Sequence, residues 1–107
     1  MKADLKENER KSQWLIHLYD AGDVWIAYKR SALLLLFVLG DSIIHAYSII
    51  DRPSGYLIFK AEITKKNFIQ LVPLSSIINN DIYHKVLDFH ISPQKFEEWM
   101  DDEGIPY

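Results

Sequence analysis

Apolar and polar positions alternate over much of this chain. From Ser12 to Asp20, Trp14, Ile16 and Leu18 interleave with Gln13, Leu15, His17 and Tyr19, the period of a strand packed mainly on one side. After a turn at Ala21-Gly22-Asp23, Val24, Ile26 and Tyr28 alternate with Trp25, Ala27 and Lys29, which completes a hairpin. Lys29-Arg30-Ser31 then leads into the most apolar stretch, Ala32 to Ile50. Leu33 to Leu39 shows no alternation, so it reads as a central strand covered on both faces. A type II′ turn at Gly40-Asp41 would join it to a second strand ending at Ile50. The rival for Ala32 to Leu39 is a short buried helix capped by Ser31 and closed by Gly40. A membrane span is disfavoured, because Gly40, Asp41 and Ser42 break the stretch and an aspartate at the centre of a span costs about 2.5–3.5 kcal/mol.

Asp51-Arg52-Pro53-Ser54-Gly55 is a turn, with proline presetting φ. In Tyr56 to Thr64, Leu57, Phe59, Ala61 and Ile63 face one way, and Lys60, Glu62 and Thr64 the other. Lys65-Lys66-Asn67 reads as a turn, and Phe68 to Val72 as a last short strand stopped by Pro73. Beyond it the period becomes helical. Asp81 caps a segment in which Ile82, Val86 and Phe89 fall at i, i+4 and i+7. Ser92-Pro93 opens a second helix with Phe96, Trp99 and Met100 as its buried stripe and Gly104 beyond its end. The expected fold is α+β: an antiparallel meander of five or six strands, rolled or barrel-like, followed by two C-terminal helices. Residues 1–107 read as one domain, with a charged arm over 1–11. Strands first and a tryptophan-bearing helix last resembles the layout of small PH-like barrels. That resemblance is one of element order and implies a rolled sheet.

Composition narrows the chemistry. Residues of the apolar classes make up 49% of the chain, enough to exclude a disordered protein. Cysteine is lacking, which excludes disulfides, thiolate nucleophiles and cysteine-type zinc sites and fits a cytoplasmic chain. The N-terminal segment has no apolar core of the signal-peptide kind. Net charge is −3, unevenly placed. Twelve basic residues face ten acidic ones up to Lys95, after which Glu97, Glu98, Asp101, Asp102 and Glu103 follow with no basic residue.

No catalytic kit emerges. The histidines lack metal-binding spacing, and on a helix His84 and His90 would diverge, while His84 and Asp88 would share a face. There is no nucleophile elbow, and Asp20, Asp23, Asp41 and Asp51 stand at turns, where aspartate is ordinarily conformational. Neither a metal nor a cofactor is expected. His17, Tyr19, His45 and Tyr47, on neighbouring strands, are candidates to line a polar pocket. Lys29, Arg30, Lys65 and Lys66 form a small basic patch if their turns share an edge, too weak a charge for nucleic acid to be a direct partner.

The acidic end of the last helix opposes local physics, because the macrodipole disfavours anions there by about 0.3–1 kcal/mol each. A cationic partner would compensate. The first expectation is therefore a protein-binding module of the immunity type, which neutralises a basic toxin or nuclease through Glu97, Glu98, Asp101, Asp102 and Glu103 beside an exposed aromatic, Trp25 or Tyr107. The alternatives are a ligand-binding or catalytic domain built on the His/Tyr pocket, and a PH-like membrane or peptide adaptor using the lysine and arginine pairs.

Overall fold

The structure, a computed structural model, describes residues 13–104, so the arm expected over 1–11 and the candidate Tyr107 lie outside the described residues. Strands β1 (Ile16–Ala21) and β2 (Val24–Tyr28), β3 (His45–Ile50) and β4 (Leu57–Thr64), and β5 (Ile77–Asn80) and β6 (His84–Leu87) form three hairpins. They lie side by side in one antiparallel sheet of order β3-β4-β2-β1-β6-β5. The sheet is open, with β3 and β5 as its edges, so the expected roll or barrel does not form. Helices α1 (Lys29–Leu39), α2 (Lys65–Leu71) and α3 (Pro93–Glu103) complete the α+β fold. Ala21 pairs with Val24, leaving a two-residue loop whose first member, Gly22, has φ +80°, a value only glycine adopts without strain.

The apolar run expected as a central strand is α1. Leucine is among the best helix formers, and Val38 is the one β-branched residue between Ala32 and Leu39. Its lack of alternation has a simple cause: the helix is covered on most sides. Ala32, Leu33, Leu34 and Leu35 are buried against Ile16, Leu18, Ala27, Ala61, Ile63 and Leu87 of the sheet. Phe37 meets Phe96 of α3 on the other side, with ring centroids 5.4 Å apart. Tyr28, not Ser31, holds the N-cap position, and Gly40 ends the helix with its N–H on the Leu36 carbonyl. Ser31 accepts the His17 backbone N–H instead, at 3.0 Å. β2 passes into α1 without a loop residue, and Lys29 makes the reversal at φ +53°.

Two further expectations are corrected. The turn and strand read over residues 65–72 are α2: the Thr64 hydroxyl caps it by accepting the Asn67 N–H at 3.1 Å, and Phe68 and Val72, one helical turn apart, are its buried side. The helix read from Asp81 is the β5–β6 hairpin. Asp81 does bond a backbone N–H, that of Tyr83 at 3.0 Å, but as an Asx turn between strands, and Ile82 is 69% exposed where a buried stripe was expected. Among the described residues one helix, not two, therefore follows the sheet. α3 has the expected start and stop, with the Ser92 hydroxyl accepting from Lys95 and Gly104 left-handed.

α3 is clamped to α1 by aromatic contacts. Phe96 is 1% exposed and lies edge-on to Trp14 at 5.7 Å and beside Trp99 at 5.8 Å, with the Arg30 guanidinium 4.5 Å from the centre of the Trp14 ring. Phe96→Ala should cost about 3–5 kcal/mol of unfolding free energy, read from urea denaturation. Lys29→Gly should act in the opposite sense, raising stability by about 0.5–1 kcal/mol in the same assay, because glycine removes the left-handed penalty and gives back part of the gain as chain entropy.

Candidate functional site

Two helix C-termini converge at one corner of the molecule. α1 ends at Leu39 before Gly40, and α3 ends at Glu103, where Gly104 turns its N–H back to the Asp101 and Met100 carbonyls. Between them lies a cleft of about 170 Å³ walled by Leu36, Phe37 and Trp99, with Gly40, Asp41 and Glu103 at its lip. Phe37 and Trp99 are 5.4 Å apart, ring centre to ring centre. Neither helix has a basic residue in its last turn. The partial negative charges of both helix ends thus add to the carboxylates of Asp41 and Glu103. A lysine or arginine side chain placed there would meet aromatic faces, carboxylates and two helix dipoles of one sign.

Further carboxylates extend this field along α3. Glu97, Glu98, Asp101, Asp102 and Glu103 are all exposed. Glu97 with Asp101 and Glu98 with Asp102 are like-charge pairs one turn apart, each unfavourable by about 0.2–0.5 kcal/mol. Glu98 accepts a hydrogen bond from the Gln94 amide at 3.2 Å. Among the described residues no cation forms an ion pair with any of the five. Trp25 does not join them. It is 5% exposed, seated on Phe68 at a ring distance of 5.8 Å, and buried on the helix-covered side of the sheet. Phe37 and Trp99 supply the aromatic wall instead. One hint of this is local, since the helical stripe of Phe96 and Trp99 runs directly into the acidic residues. Asp41 was hidden by its reading as a hairpin turn.

The histidine and tyrosine candidates lie on the opposite, helix-free face. Cross-strand register sets His84, Tyr19, Ile26, Glu62 and His45 in one row across five strands, with Tyr28, Lys60 and Tyr47 in the neighbouring row. His17 and Tyr19 do come together, lining an open depression with Tyr28. His45 and Tyr47 belong to β3, three strands away from β1, or about 14 Å at the usual strand spacing. The four therefore share a face without enclosing a pocket. Instead the Tyr47 hydroxyl donates to the Glu62 carboxylate at 2.6 Å, and that bond pushes its pKa up to about 12.

His84 is the partner missed. The helical reading considers it only beside His90 and Asp88, whereas β6 brings its Nε2 to 3.1 Å from His17 Nδ1, with the Tyr19 ring stacked on it at 4.8 Å. Asp88, expected to share a face with His84, instead accepts the His90 backbone N–H. Among the described residues no group of three or more potential ligands is placed to hold a metal ion. The basic residues also fall apart. Lys65 donates its backbone N–H to the Asp23 carbonyl at one end of β2, and Lys29 follows the other end, about 13 Å along the strand. No helix among the described residues is long and apolar enough to cross a membrane.

Burial, reinforced by the neighbouring His84, lowers the His17 pKa from its ordinary 6.5. Below that value the unfolded chain takes up the proton first. This contribution to stability is therefore complete above pH 6.5 and declines as pH falls through the lower folded-state pKa. The urea midpoint should fall between pH 7.5 and 5.5, and His17→Gln should lessen the fall.

Comparison with known protein families, curated proteins and solved structures finds no significant match.

Proposed function

We propose that the chain is a protein-binding module of the immunity type, which neutralises a basic toxin or nuclease by docking its acidic corner over the partner's cationic surface. One observation carries this reading: the exposed carboxylates of α3, in ion pairs with no cation among the described residues, lead into an aromatic-walled cleft where two helix C-termini add negative potential. Such an arrangement suits one inserted lysine or arginine flanked by rim charges that speed encounter. An active site that normally receives a phosphate backbone is lined with such cations, and occupying it would silence the enzyme.

The corner is also costly to the isolated chain. Like charges one turn apart and anions at a helix C-terminus both work against folding. Asp101→Asn, Asp102→Asn and Glu103→Gln together should raise stability by about 1 kcal/mol at low salt, a gain that shrinks as salt screens the charges. The same triple variant should fail to retain basic proteins that the native chain captures from source cells at low and moderate salt. A retained toxin or nuclease should lose activity on adding the native chain and keep it with the variant. Equal capture by both chains, or captured enzyme left fully active, would sink the proposal.

A further inference from the structure

A second concavity lies between α2 and the β5–β6 hairpin and shares no residue with the acidic cleft. Its volume is about 340 Å³, with Trp25, Phe68, Val72 and Ile77 among its walls. Trp25, Phe68 and Val72 are each less than 10% exposed, so the floor is held in place by the core. Small-molecule sites are typically concavities of this size, largely apolar, with a few fixed polar groups. Two lysines supply those here, and both ammonium groups lie over the Trp25 ring, at 4.9 Å for Lys65 and 5.3 Å for Lys85.

The two lysines are not equivalent. Lys65 is neutralised by an ion pair with Asp20. Lys85, half-buried, donates to the neutral Asn80 amide oxygen, and among the described residues no carboxylate stands within ion-pair distance of it. A partly desolvated ammonium without a counter-charge beside an apolar wall is complementary to a single anionic group on an apolar body. The rim carries matching surface: Ile69 is 80% and Leu74 is 84% exposed, apolar area that the fold leaves in water.

We propose that this groove binds an amphipathic monoanion, an alkyl or aryl carboxylate, with its apolar part over Trp25 and Phe68 and its carboxylate at Lys85 Nζ. The test is an amide NMR titration of the full chain with decanoate and, separately, with decanol. Decanoate should shift resonances of α2 and β6 and bind about tenfold or more tightly than decanol. Lys85→Met should abolish that preference without weakening decanol binding, and Lys85→Arg should keep it. The comparison of the two probes on the native chain needs no variant. Equal affinity for both probes, shifts confined to the acidic corner or the open sheet face, or an undiminished preference in Lys85→Met would overturn the proposal. So would binding at these residues to phosphatidylglycerol vesicles but not to dispersed decanoate, which would make the groove a membrane contact.

Discussion

Everything in this fold depends on covering α1. A helix with four consecutive buried residues, Ala32 to Leu35, has no face to give to water. The sheet takes one side of it, and α3 must take another. That need fixes where α3 docks, and the docking brings the two C-terminal ends together. The acidic corner is thus a by-product of core packing. Because Phe96 anchors α3 from its first turns, the last turn carries its charges on a base it does not have to hold itself.

The sequence made the strands legible wherever one face is solvated. Ile16 and Leu18, and Ala61 and Ile63, point inward as alternation required, since a one-residue slip would expose them. α3 was legible at both ends because Ser92, Pro93 and Gly104 have few other uses in that order. Failure came where apolar residues are continuous or sparse. Leu33 to Leu39 offers no period, and its surroundings, not its pattern, decide for helix. In α2 the short Phe68–Val72 repeat is mimicked by the β-propensity of its own residues, and the Thr64 cap was the overlooked cue. In β5–β6, Asp81 makes the side-chain bond of a cap in a turn.

The candidate site was legible as charge and illegible as shape. Five acidic residues in the chain's last tenth announce a field, but the cleft's Asp41 and Phe37 come from a segment some sixty residues earlier, brought in only by tertiary packing. The His17–His84 contact has the same origin. It pairs the first strand with the last, a register that no local pattern encodes. The lysine pairs show the converse, in that nearness of turns on paper gave no nearness in space.

The two edges of the sheet differ in a way that bears on how the chain behaves in concentrated solution. β5 is four residues long and its ladder slips at Ile78, both of which hinder docking of another strand. β3 is six residues, His-Ala-Tyr-Ser-Ile-Ile, with neither lysine nor proline, and Ile49 and Ile50 are 37% and 65% exposed. Among the described residues nothing pairs with its outer side. Its row of backbone donors and acceptors is a ready template, so self-association of this protein would start strand to strand along β3, and its net charge of −3 is the force that opposes it.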